Sequence, residues 1–177
     1  MRKDFVMPVV VLSLLCLFVA GTLAVGHHLT HPIIERAAAE RARMAMLVIL
    51  PEAEAFDPVD LSLFNLPAAV YSMYSTPNDV GYAVIVITMG FAGEIRVLCG
   101  IDPQGRIIRT QVLANSETPS FSAPVFAEAH VSNYWGQDRQ GIEAVPIVTG
   151  STVTAVAFKN AVRYALDAFA IVSGGTP

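Results

Sequence analysis

Glu94-Ile95-Arg96-Val97-Leu98-Cys99-Gly100-Ile101 runs into Asp102-Pro103-Gln104-Gly105 and then into Arg106-Ile107-Ile108-Arg109-Thr110-Gln111-Val112-Leu113. Ile95, Val97 and Cys99 alternate with Glu94, Arg96 and Leu98, the two-residue period of a half-buried strand. The Asp-Pro-Gln-Gly segment has the residues that turns demand, so the whole stretch predicts an antiparallel hairpin. Working upstream, Gly81–Met89 is almost entirely β-branched or apolar and Ala68–Ser75 is strand-like too. Glu52–Leu66 reads as irregular, broken by Asp57-Pro58 and Leu66-Pro67. Downstream, 115–140 reads as loop with a short helix and Gly141–Val148 as a last strand. Thr154–Val172 reads as a helix, with Val156, Val162, Leu166 and Phe169 among its apolar positions and Gly174-Gly175 at its end. The expected fold class is α+β, a mostly antiparallel sheet packed by helices.

The chain has 177 residues, 54% of them hydrophobic, and a net charge of −4. Its mean hydropathy of +0.53 is high for a soluble domain. Phe5 to Gly26 contains no charged residue. About 20 apolar residues suffice to span a bilayer as a helix. A cleaved signal peptide has a shorter apolar core of about 7–15 residues, so an uncleaved anchor is the expectation. Arg2, Lys3 and the free amine favour a cytoplasmic N-terminus, although Arg36, Arg41 and Arg43 follow on the other flank. His31–Leu50 reads as a further helix with Pro32 in its first turn and Pro51 at its stop. The expected organisation is a cytoplasmic 1–4, a transmembrane helix 5–26, a connecting helix 27–50 and an extracytoplasmic domain 51–177. No cluster of Lys and Arg is present, which argues against nucleic acid as a partner.

Thr149-Gly150-Ser151-Thr152-Val153-Thr154 crowds hydroxyls and a glycine at the start of the last helix. Helix starts expose unpaired N–H groups and the positive end of the helix dipole, so this one could hold a phosphate. The ordinary reading of the same residues is an N-cap. Glu117-Thr118-Pro119 is a second candidate, since proline pushes Thr118 towards an extended backbone and stiffens the loop. As a surface turn it would need no function.

The order of these pieces resembles the FMN-binding domain of the G subunits of Rnf complexes. It is also similar to the C subunits of the sodium-translocating NADH:quinone reductases. The shared order is the hairpin, then Ser116-Glu117-Thr118-Pro119, then Thr149-Gly150-Ser151-Thr152-Val153-Thr154 and Phe158-Lys159-Asn160-Ala161-Val162. The family patterns are close to Glu-Thr-Pro-Gly-Leu-Gly and to Asp-x-x-Ser/Thr-Gly-Ala-Thr-x-Thr. The resemblance implies FMN linked by a phosphoester to Thr152, with Thr149, Gly150, Ser151, Thr154, Glu117, Thr118 and Pro119 around it. It also implies a single-pass protein of the inner membrane that relays electrons among other membrane subunits of an ion-translocating oxidoreductase. A flavin transferase would mature it, and lipid would surround its anchor. Three departures stand out. Ser151 replaces the usual alanine and adds a second hydroxyl beside Thr152. Pro146 replaces an aspartate of the transferase's recognition pattern. Ser120-Phe121-Ser122 replaces Gly-Leu-Gly.

Other chemistry is not indicated. His27, His28 and His31 lack a completing ligand, so no metal is expected. Two cysteines cannot hold an iron–sulfur cluster; Cys16 falls in the anchor and Cys99 reads as a buried strand residue. No catalytic acid, base or nucleophile stands out. Tyr134 and Trp135 could stack on a flavin, though core packing is the commoner role.

Overall fold

The structure is a computed structural model and describes residues 2–174. The chain divides into two units, Met1–Arg41 and Ala42–Pro177. The first helix, α1, spans Arg2–Ile49 and includes both Pro8 and Pro32. It is long and apolar enough to cross a membrane. Along its apolar part the side chains from Met7 to Ile34 are exposed. Thr22 donates to the Phe18 carbonyl at 2.8 Å, so its hydroxyl is satisfied within the helix, as lipid requires. Pro32 does not begin a second helix. A proline inside a helix forfeits one backbone hydrogen bond, and here the helix runs on through it into Glu35-Arg36-Ala37-Ala38-Ala39-Glu40, a run of strong helix formers.

The second unit holds a five-stranded antiparallel meander in the order β1-β2-β3-β4-β5. β1 is only Asp57–Pro58; β2 is Val70–Ser75, β3 Tyr82–Met89, β4 Glu94–Ile101 and β5 Ile107–Asn115. The predicted hairpin is present: Cys99 faces Thr110 across β4 and β5. Its turn is held by Asp102, whose carboxylate accepts the N–H groups of Gln104 at 3.0 Å and Arg106 at 2.8 Å. After β5 come α2 (Pro119–Phe126), α3 (Glu128–Val131), two short 3-10 turns and α4 (Thr152–Val172).

Helix α4 packs on one face of the sheet. Phe158, Ala161, Val162, Ala165, Leu166 and Phe169 meet Val84, Val86, Ile95, Val97, Cys99 and Ile101 in one buried cluster. The alanines let the helix approach closely, and Thr88 donates from the sheet to the Ala157 carbonyl at 3.1 Å. Fully burying a side chain such as Phe158 contributes roughly 1.5–3 kcal/mol. The other face is covered as well, by Ala45, Met46, Ile49 and Leu50, which pack on Ala83, Ile85 and Leu98. Leu98, expected on the polar face of β4, is therefore fully buried. Gly100 permits the approach: a Cβ there would collide with Ile49 Cγ2.

The expected strand Gly141–Val148 is absent. A 3-10 turn occupies Gly141–Ala144 and the rest is irregular. Asp138 accepts the N–H groups of Gln140 and Gly141 and draws the chain into a turn. Pro146 has no N–H for a ladder. Helix α4 starts at Thr152, two residues earlier than expected, and Gly174 follows its end with φ +77. Gly175 lies outside the described residues.

Candidate functional site

The start of α4 carries the hydroxyl-rich segment, and the structure gives each hydroxyl a different fate. Ser151 stands at the N-cap, yet its side chain does not cap the helix. It is buried and donates instead to the Phe121 carbonyl of α2 at 2.5 Å. Thr154 is buried too, and its Oγ1 donates to Glu117 Oε2 at 2.5 Å. Thr149 is exposed, and Gly150 turns the chain with φ +84, a conformation glycine adopts without strain. Thr152 is exposed at the first helical position.

The first N–H to close a turn of α4 is that of Ala155, which donates to the Ser151 carbonyl at 2.9 Å. The N–H groups of Thr152, Val153 and Thr154 are therefore the orphan donors of this helix end. The N-cap reading of the segment thus fails, because the cap hydroxyl is engaged elsewhere. What remains is a positive helix end with donors free for an anion.

A cavity of about 300 Å³ opens at this end, lined by Phe91, Phe121, Gly150, Ser151, Thr152, Val153 and Thr154. Phe91, at the tip of the β3–β4 hairpin, is 74% exposed, and Phe121 in α2 is 54% exposed. Exposing two aromatic rings costs burial energy, and beside an anion-binding helix end they suit a planar aromatic ligand with a phosphate tail. Sequence reasoning alone singles out neither as a flavin contact. Phe91 has a signal, an aromatic bracketed by Gly90 and Gly93 in a hairpin turn. Phe121 has one in the replacement of Gly-Leu-Gly.

Glu117 lies close by without lining the cavity. It is 7% exposed. Burial pushes its carboxyl up, but the Thr154 hydroxyl and the N–H groups of Ala92, Gly93 and Phe91 outweigh that and hold it below the ordinary carboxylate value. Thr118 is extended, as the following proline requires, and forms the N-cap of α2 with Pro119 at its first position. Thr118 and Pro119 are exposed and outside the cavity lining.

Tyr134 and Trp135 are away from this cavity. Tyr134 is fully buried and packs edge-on against Phe158, while Trp135 carries the Arg109 guanidinium over its ring. Both belong to the core side of the choice. Cys99 is buried in β4, and burial pushes its thiol up to about 12, so it is inert at neutral pH. Among the described residues no group of three or more His, Cys, Asp or Glu could hold a metal. A larger open groove of about 1090 Å³ lies along the C-terminal half of α4, between Asn65, Gln104 and Arg139. Its Arg139 is already paired with Asp167 at 2.7 Å and Glu143 at 2.9 Å, so it offers no free charge to a phosphate. The smaller cavity is the candidate site.

A helix start with free donors, faced by exposed aromatics on an antiparallel α+β frame, is suited to a planar aromatic ligand that carries a phosphate. Residues 90–167 match the family described as FMN-binding domain, and this range takes in Phe91, Glu117, Phe121 and Thr152. Along most of its length the chain is similar to proteins named as the G subunits of ion-translocating complexes. It is 28% identical to the G subunit of the ion-translocating oxidoreductase complex of Methanosarcina acetivorans, over 93% of this chain and 94% of that protein. It is 26% identical to the G subunit of the Na(+)-translocating ferredoxin:NAD(+) oxidoreductase complex of Acetobacterium woodii, over 85% of this chain and 84% of that one. It is 20% identical to the G subunit of the proton-translocating ferredoxin:NAD(+) oxidoreductase complex of Clostridium ljungdahlii, over 93% and 91%. The resemblance to the Rnf-type G subunits therefore extends well beyond the motifs that suggested it.

Proposed function

We propose that this chain is the membrane-anchored electron-transfer subunit of an Rnf-type ion-translocating oxidoreductase, carrying FMN by a phosphoester on Thr152. One observation carries the choice of residue. Of the hydroxyls at the start of α4, Ser151 and Thr154 are buried and spent on Phe121 and Glu117. Thr152 alone is both exposed and part of the cavity lining.

FMN, when bound, supplies the redox chemistry by taking up and releasing electrons. The chain supplies attachment and surroundings. Thr152 offers the hydroxyl, the orphan N–H groups beside it offset the phosphate's charge, and Phe91 and Phe121 offer aromatic surface to the ring. Thr149 and Gly150 shape the turn into the helix. No side chain at the cavity is a strong acid, base or nucleophile, which fits a relay that acts on no diffusible substrate. Its partners are then other membrane subunits, with a flavin transferase for maturation. The chain crosses the inner membrane once through α1, with its domain on the extracytoplasmic side and lipid around the anchor. A covalent link suits that side, where a lost cofactor could not be recovered from the cytoplasm.

The test is flavin fluorescence of denatured protein from cells that coexpress a flavin transferase. Wild type and Thr152→Ser should fluoresce on a denaturing gel and Thr152→Ala should not. Stoichiometric flavin on the alanine variant would refute the attachment. Yellow protein that loses all its colour on denaturation would replace it with noncovalent FMN, the reading that Pro146 favours.

A further inference from the structure

Phe91 is too exposed for packing to hold it in place, so its position must come from its backbone. That backbone is gripped by Glu117. Oε1 of Glu117 accepts the N–H groups of Ala92 at 2.9 Å and Gly93 at 3.3 Å, the two residues that follow Phe91. Consecutive N–H groups curled around one anion form a nest, and bonds to an ionised acceptor are about twice as strong as neutral ones. Oε2 accepts the Thr154 hydroxyl in the first turn of α4. The Glu117 N–H donates to Asn115 Oδ1 at 3.2 Å, which fixes the base of the side chain.

Two glycines leave room for this clasp. A Cβ on Gly90 would collide with Glu117 Oε1 and lie 2.8 Å from Ile95 Cδ1. A Cβ on Gly93 would lie 2.7 Å from the Cβ of Ser116. The carboxylate thus joins the hairpin tip that carries Phe91 to the helix start that carries Thr152 and Val153. These are two walls of one cavity.

We infer that Glu117 is a positioning residue of the FMN site, which acts on the bound flavin through Phe91 and not by touching it. The inference rests on the FMN reading given above. Without the carboxylate, the N–H groups of the tip lose their common acceptor, and Phe91 is free to swing from the cavity.

The test uses the full-length flavin-loaded chain and compares Glu117→Ala, Phe91→Ala and the double variant. Fluorescence anisotropy of the flavin reports its mobility, and iodide quenching reports its exposure. Glu117→Ala should lower the anisotropy and raise the quenching. Phe91→Ala should do the same, and the double variant should go no further than Phe91→Ala, because one residue works through the other. Effects that simply add, or a Glu117→Ala variant with unchanged signals, would overturn the inference. Should Glu117→Ala not fold, Gly90→Ala pushes the carboxylate from its nest while meeting only side-chain tips. It should reproduce the loss of anisotropy, and unchanged anisotropy would overturn the inference equally. A wild-type chain without flavin overturns the FMN reading and this inference with it. A wild-type chain with flavin that ignores these substitutions overturns this inference alone.

Discussion

Replacing Ser151 by alanine separates a structural hydroxyl from a cofactor-bearing one. Ser151 donates to the Phe121 carbonyl at 2.5 Å and so ties α2 to the start of α4. The substitution also restores the residue that the related pattern has at this position. Removing the hydroxyl loses one part-buried hydrogen bond and leaves a carbonyl with one partner fewer. Such a bond contributes about 0.5–1.5 kcal/mol net, and an unsatisfied buried acceptor raises the cost to about 1–3 kcal/mol. The Phe121 side chain is half-exposed, so water can reach this region and the lower figure applies, about 1 kcal/mol. For a domain of this size that lowers Tm by roughly 3–6 °C. The assay is thermal unfolding of the full chain in detergent, followed by near-ultraviolet circular dichroism, beside flavin fluorescence on a denaturing gel. Ser151→Ala should melt earlier and still carry a full complement of covalent flavin. Loss of the flavin would refute the assignment of the two hydroxyls, and an unchanged Tm would refute the tie between α2 and α4.

Other consequences follow from the same geometry. His130 is buried, and burial, then the Lys159 charge, hold its imidazole below the ordinary 6.5. The unfolded chain therefore takes up the proton first, and stability should fall as pH drops below about 6.5 towards the folded value. Denaturant titrations between about pH 5 and 7 should show that slope, and His130→Phe should flatten it. Gly100→Val should destabilise by about 1–3 kcal/mol, since its Cβ meets Ile49 Cγ2; an unperturbed denaturation midpoint would mean the two do not touch. Arg139→Met breaks two ion pairs at the open groove, a part-exposed site where such pairs contribute about 0–1 kcal/mol. Flavin content should not change, and a colourless Arg139→Met protein would move the site to that groove.

The hairpin was legible because two signals agreed there, a two-residue apolar period and turn chemistry at Asp102–Gly105. A helix start within Thr149–Thr154 was legible from its hydroxyls, though neither its first residue nor which hydroxyl was free, since the latter depends on Phe121 and Glu117, which lie some 30 residues or more earlier in the chain. Leu98 misled because period-two reasoning assumes one wet face, whereas the end of α1 covers the second face of the sheet. Gly141–Val148 misled because Ile142, Val145, Ile147 and Val148 imitate a strand, while Asp138 and Pro146 decide against one. Phe91 and Phe121 were hidden for a different reason. Periodicity finds residues that face a core, and these two face a cavity at the surface.

The attachment of FMN to Thr152 is tested most directly by fragmentation mass spectrometry of the peptide that spans Thr149 to Lys159, from chain matured with a flavin transferase. The expected result is an FMN adduct that localises to Thr152, with Thr149, Ser151 and Thr154 unmodified. An adduct on Ser151, or an unmodified peptide from protein that was yellow before denaturation, would contradict it.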